Sequence, residues 1–192
     1  MPAENVVDRS SSIARGGRLL LTVFLAIYGF SILKHPDLGD AVYNLDVPIH
    51  EFGHYLFWPF GQFMHVAGGT IFEVLFPAVF MVYFARRRDY HAASVILWWI
   101  AENFWNISVY AGDAVATELP LLGGGFGDGP VTHDWSYMLG RLGLLARDQQ
   151  IAHRIWVIGV ILYLIAIGGG LIALTNPLPK TDESADLQDI IA

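Results

Sequence analysis

The sequence predicts an all-α fold, a polytopic membrane helix bundle with about four transmembrane helices and one short re-entrant or half-spanning helix. Three observations carry this. Of 192 residues, 54% are hydrophobic and only 15% charged, against roughly 25% charged in a soluble domain. Four apolar runs approach or reach the length that spans a bilayer core. One of them ends in Arg86-Arg87-Arg88, the kind of cluster that marks a cytoplasmic flank. The net charge of -7 gives no footing for nucleic-acid binding. With no cysteine, disulfides and thiolate zinc sites are excluded, so any metal must be held by His, Asp, Glu or water.

Residues 1 to 18 are polar, and Gly16-Gly17 lead into the apolar run Leu19 to Leu33. That run is longer than a usual signal-peptide core, and Lys34-His35-Pro36-Asp37 offers no small-residue cleavage site. It is therefore expected to be a retained first span. Pro48 is placed near the start of the next helix and Pro59 with Gly61 at its end. Between them lies a helix of about 11 to 13 residues, roughly 16 to 20 Å long and short for a crossing. A second span runs from Phe63 to Phe84, with Gly68-Gly69 permitting close helix contact. A third covers residues 92 to 112. Within and just beyond it, Glu102, Asn106, Tyr110 and Asp113 step by four, four and three, one polar stripe that should face the protein interior. Residues 114 to 150 are a long connection with a Gly-rich turn at Gly123 to Gly129. Then Trp135, Met138, Leu142 and Leu145 recur at helical spacing, as expected of a helix lying against the bundle or at the interface. A fourth span, Ile151 to Leu174, ends before Pro177. Residues 1–175 thus form a single integral membrane domain, and 176–192 an acidic, disordered tail.

The short helix carries His50-Glu51-Phe52-Gly53-His54, an HExxH run. Histidines four apart share one helix face, so both imidazoles reach one ion, and the glutamate beside them can take a proton from a metal-bound water. The run continues into Tyr55-Leu56-Phe57-Trp58, surroundings in which unpaired charge is costly. Two solvated histidines would be an odd tenant there.

Charge distribution chooses between two topologies. If the HExxH helix crosses fully, Lys and Arg divide six inside and five outside. If it dips in and returns to the outer side, the division is seven (9, 15, 18, 86, 87, 88 and 180) to four (34, 141, 147 and 154). The second fits the positive-inside bias better. It also places Asp113 and His133 at the level of His50 and His54, with the amino terminus cytoplasmic and the metal site toward the outer side. A bacterial cytoplasmic (inner) membrane is the expected location.

A catalytic zinc site usually takes three protein ligands and keeps one position for water. Asp113 and His133 are the leading candidates to join His50 and His54. Asp113 terminates the polar stripe but could equally cap a helix; His133 has the better donor atom for zinc. Asp134 ranks lower, as a ligand or as a group that fixes imidazole orientation. So does Glu73, 19 residues past His54, a spacing close to that of the glutamate ligand in thermolysin-like peptidases.

HEFGH in a hydrophobic segment, followed by a later span bearing Asp113, resembles the site-2 protease class of intramembrane zinc metalloproteases. The resemblance implies His50, His54 and Asp113 as ligands of one Zn2+ ion and Glu51 as the catalytic general base. It departs at Ala111-Gly112-Asp113-Ala114, where that family has an LDG or NPDG type setting. The expected function is a membrane-embedded zinc-dependent hydrolase, foremost a metallopeptidase. The alternatives are a lipid amide or ester hydrolase using the same metal water, and a non-catalytic, metal-stabilised subunit of a larger membrane complex. The expected partners are the lipid bilayer, a membrane-protein or lipid substrate and a membrane-protein partner.

Overall fold

A computed structural model describes residues 4–34, 41–119 and 133–176. Every regular element among them is helical: α1 (Glu4–Lys34), α2 (Ala41–Phe57), α3 (Gln62–Arg86), α4 (Tyr90–Gly112), α5 (Asp134–Arg141) and α6 (Asp148–Ala173). The Gly123 to Gly129 turn and all but the first residue of the expected tail lie outside the described residues.

Two helix starts differ from expectation. α1 begins at Glu4 rather than Leu19. No proline interrupts residues 4–18, and once an apolar run has formed a helix, adding flanking residues is cheap compared with nucleation. α2 begins seven residues before Pro48 and has 17 residues, about 26 Å at 1.5 Å per residue. Pro48 lacks the N–H that would bond the Asn44 carbonyl, a loss of about 3 kcal/mol or more in an isolated helix. Tertiary anchoring offsets it. Val42 packs against the main core, and Asp46, 1% exposed, accepts a hydrogen bond from Trp99 Nε1 at 2.8 Å. At its other end α2 stops as expected, in a 3-10 turn over Trp58–Phe60 closed by Gly61 at φ 92.

α4 lies at the centre, packed most extensively on α6 and next on α3. The main core joins Leu25 and Ile32 of α1, Trp98, Ala101 and Trp105 of α4, and Tyr163 and Ala166 of α6. Apolar burial alone does not hold helices together in lipid, and backbone-directed bonds add to it. Trp98 Nε1 donates to the Leu25 carbonyl at 2.9 Å, and the Tyr163 hydroxyl donates to the Ala26 carbonyl at 2.6 Å. The outward faces are apolar too. Leu20 and Phe24 of α1, Val79 of α3 and Leu164 and Ile172 of α6 are all more than half exposed, a surface that suits lipid rather than water.

Three stretches, Ser12–Lys34, Gln62–Arg86 and Leu145–Ala173, are long and apolar enough to cross a membrane. α4 is as long, at 23 residues, but Glu102, Asn103, Asn106 and its tryptophans lower its hydropathy. The arrangement is that of a membrane protein in which the helix with polar residues at the middle of its length is the most enclosed.

Two ends of the bundle are distinct. Arg18 of α1 pairs with Asp89 at 3.2 Å, so the start of the first apolar stretch and the Arg86–Arg88 turn share one end. α2 runs antiparallel to α3, with His50 beside Glu73, Gly53 against Gly68 and His54 beside His65. That places the HExxH run near the opposite end, where α4 finishes and α5 begins.

Candidate metal centre

His50 and His54 stand on the α2 face turned toward α3. A Cβ on Gly53 would come within 2.3 Å of the Gly68 carbonyl oxygen, and one on Gly68 within 2.6 Å of the Gly53 oxygen. Only glycine at both positions permits this approach of the two backbones. Gly69 clears the space in front of the imidazoles: its Cβ would lie 2.5 Å from His50 Nε2 and 2.7 Å from His54 Nε2.

The third member comes from α5. Met138 packs with Val66 and Ala67 of α3, with Trp135 and Tyr137 against them, and Asp134, one turn before Met138, points the same way. Its backbone N–H donates to the Tyr110 hydroxyl at 3.2 Å. Asp134 Oδ2 then sits 3.1 Å from His50 Nε2 and 3.3 Å from His54 Nε2. Burial pulls the Asp134 carboxyl toward its protonated form, but when both Nε2 atoms carry protons the hydrogen bonds from His50 and His54 outweigh burial and hold it below the usual carboxylate range.

The other ring nitrogens are already engaged. His54 Nδ1 donates to the His65 carbonyl at 2.8 Å, and His65 Nδ1 donates back to the His54 carbonyl at 2.9 Å. His50 Nδ1 lies 2.9 Å from Glu73 Oε2, within hydrogen-bond distance. A carbonyl can only accept, so the His54 hydrogen is on Nδ1; of the two carboxylates on His50, Glu73 is the nearer, 2.9 against 3.1 Å, which favours the same position. In the neutral imidazoles both Nε2 lone pairs therefore face one carboxylate oxygen. Such an arrangement needs a cation between the donors, either protons or a metal ion.

The spacing suits a metal. Donors arranged tetrahedrally at roughly 2.0–2.1 Å from zinc lie about 3.3 Å from one another, close to the two separations observed. Among the described residues His50, His54 and Asp134 are the one group of at least three metal-binding side chains whose ligand atoms lie within 4.8 Å of one another. Zinc as the specific ion has no such geometric mark, because other divalent ions accept the same donors.

The expected ligands divide accordingly. His50 and His54 come together as anticipated. Asp113 and His133 pair with each other at 3.3 Å and do not join the group. Asp113 also accepts from the backbone N–H groups of Glu118 and Leu119 at 2.9 and 3.1 Å, holding the chain after α4. His133 caps α5, its Nδ1 accepting from Ser136 N at 3.3 Å. Asp134, ranked lower in the sequence reading, takes the third position. Glu73 faces the far side of His50 instead of the shared space, and Glu51 is half-buried one helical turn before His54.

Sequence reasoning read Gly69 as a helix-contact residue, not as the space in front of the imidazoles, and passed over the carbonyl of His65. A signal for the first was present: Val66, Gly69, Glu73 and Pro77, spaced three, four and four, are all buried and trace the inward stripe of α3. Nothing in the sequence marks a backbone carbonyl as the partner of His54.

No protein-family model matches the chain, and neither a curated protein nor a solved structure matches it.

Proposed function

We propose that the chain is a membrane-embedded, metal-dependent hydrolase, foremost a peptidase, whose one Zn2+ ion is held by His50, His54 and Asp134. The observation that carries this is the convergence of two imidazole Nε2 atoms on Asp134 Oδ2 while both Nδ1 atoms are otherwise bonded. Charge supports a divalent ion: with neutral imidazoles, two positive charges balance the carboxylates of Asp134 and Glu73, and a buried site tolerates little net charge.

A zinc ion in such a site polarises a carbonyl oxygen and makes water acidic enough to be a nucleophile near neutral pH. The chain's own groups do the rest. His50, His54 and Asp134 would hold a zinc ion with three donors, short of a closed four-ligand set, which favours a catalytic site over a structural one. Asp113, held by the Glu118 and Leu119 N–H groups, and His133, held as the α5 cap, stay out of that set. Glu51, adjacent to His50 and one turn before His54, is the base that takes the proton from the attacking water and returns it to the leaving group. The outer face of α2 carries Phe52, Tyr55 and Leu56, all more than 40% exposed. A single helix therefore separates the centre from lipid, as suits a substrate that arrives within the bilayer.

For topology, α4 is a fourth crossing, since it packs along both α3 and α6, and α2 enters part way. The end bearing Arg18 and Arg86–Arg88 is cytoplasmic by the positive-inside bias, which puts the centre toward the outer side of a bacterial inner membrane. Metal analysis of detergent-purified protein, beside hydrolysis of a membrane-derived peptide and of a phospholipid, tests the function. The expected result is one zinc per chain and peptide cleavage that Glu51→Gln abolishes without loss of metal. Absence of bound metal would end the proposal, and cleavage of the phospholipid alone would move it to lipids.

A further inference from the structure

Among the described residues, Glu73 is the buried acid in contact with the centre that the proposed reaction does not use. It is 6% exposed on α3, and its backbone carbonyl accepts from Asn103 Nδ2 at 2.7 Å, which ties this turn of α3 to α4. Its side chain meets His50, Oε2 lying 2.9 Å from Nδ1. The other histidine has no such partner: His54 Nδ1 is met by the neutral carbonyl of His65. The two imidazoles thus share a geometry but differ in the charge behind them.

A carboxylate on Nδ1 does two things that a carbonyl does more weakly. It holds the hydrogen on Nδ1, so the Nε2 lone pair is always presented, and it makes the imidazole a stronger donor. It also fixes the ring plane, because a buried charge left without its partner is costly. We infer that Glu73 is a positioning residue for the centre, an anionic anchor that sets the tautomer, orientation and donor strength of His50 without itself touching the ion. This rests on the metal reading of His50, His54 and Asp134. The glutamate that chain spacing offered as a ligand acts one bond further out.

The test compares Glu73→Ala and the isosteric Glu73→Gln with the wild-type chain in detergent, read by chelator competition for Zn2+ and Co2+ and by the Co2+ absorption spectrum. The amide of the second variant keeps an oxygen that can accept from Nδ1 while removing the charge. A positioning role predicts affinity lower by about 10- to 100-fold in Glu73→Ala and by a smaller factor in Glu73→Gln. One ion should still bind at saturation, with a Co2+ spectrum of unchanged coordination number. Unchanged affinity in both variants would overturn the inference, as would a Co2+ spectrum showing a lost ligand, which would make Glu73 a direct donor.

If the wild-type chain binds no metal, the proposed function fails first, and nitrogen NMR of the His50 ring decides separately. A hydrogen held on Nδ1 in the wild type and redistributed in Glu73→Gln supports the anchor. An unchanged tautomer overturns it.

Discussion

Two histidine–carboxylate clusters lie near the same end of the bundle, joined by Tyr110, whose ring centroid is 4.3 Å from that of His133 and 6.3 Å from that of His50. They use the same residue types to opposite ends. In the Asp113–His133 pair, Nδ1 accepts a backbone hydrogen, so the imidazole proton sits on Nε2, 3.3 Å from the carboxylate but not aligned as a hydrogen bond to it. The pair serves the connection between α4 and α5, Asp113 holding the chain after α4 and His133 capping α5. At His50, His54 and Asp134 the Nδ1 hydrogens are spent elsewhere, and the carboxylate faces two lone pairs. A histidine's role here is decided by what its second nitrogen touches.

The largest effect should come from removing a converging imidazole. His50→Ala and His54→Ala are expected to reduce bound zinc from one per chain to background by atomic absorption, and chelation of the wild type should abolish hydrolysis until Zn2+ is restored. Next is Gly69→Ala, which alters no donor but places a methyl group against both Nε2 atoms. A displacement near 1 Å costs about 100-fold in catalysis, so kcat/KM should fall by that order while the helical circular-dichroism signal is retained. A normal rate would mean the imidazoles are not confined as described.

Smaller, and different in kind, is the effect of breaking the structural pair. His133→Ala removes the α5 cap and the imidazole beside Asp113, whose bonds from Glu118 and Leu119 N–H remain, at a cost of about 1 kcal/mol, read as a lower Tm with zinc content unchanged. The smallest change is expected from His65→Ala. Its imidazole bond to the His54 carbonyl is lost, about 1 kcal/mol, but the carbonyl that orients His54 belongs to the backbone and stays. Zinc affinity should move by less than about threefold, and a larger shift would give the His65 side chain a role in the centre.

Much of this architecture could be read from the sequence, because spans are written in composition. The apolar runs at 19–33, 63–84 and 151–174 correspond to α1, α3 and α6, and the helix–break signal at Pro59 and Gly61 marks the end of α2. The start of α2 could not be read. Pro48 is a sound local signal for a helix start, overridden by Asp46 bonding to Trp99 of a distant helix. Among the site residues, His50, Glu51 and His54 announce themselves by spacing on one helix. Asp134 does not, because it stands beside His133 and one residue decides which of the two faces the motif. The choice follows from α5 beginning at Asp134 with His133 as its cap, so that Asp134 shares a face with the buried Met138. Helical spacing from Trp135 to Met138 hinted at that face, but donor-atom preference pointed to the imidazole. Glu73 was visible as a buried acid on α3, and its contact with Nδ1 rather than with the shared space is a matter of helix rotation that sequence spacing does not resolve.

The comparison between the two clusters is tested most directly by the zinc content of Asp134→Ala beside Asp113→Ala, both purified as folded full-length protein. The expected result is no retained zinc in the first and one ion per chain in the second, with the second showing the lower Tm expected of a broken structural pair. Zinc kept by Asp134→Ala and lost from Asp113→Ala would place the centre on the other carboxylate and contradict the assignment.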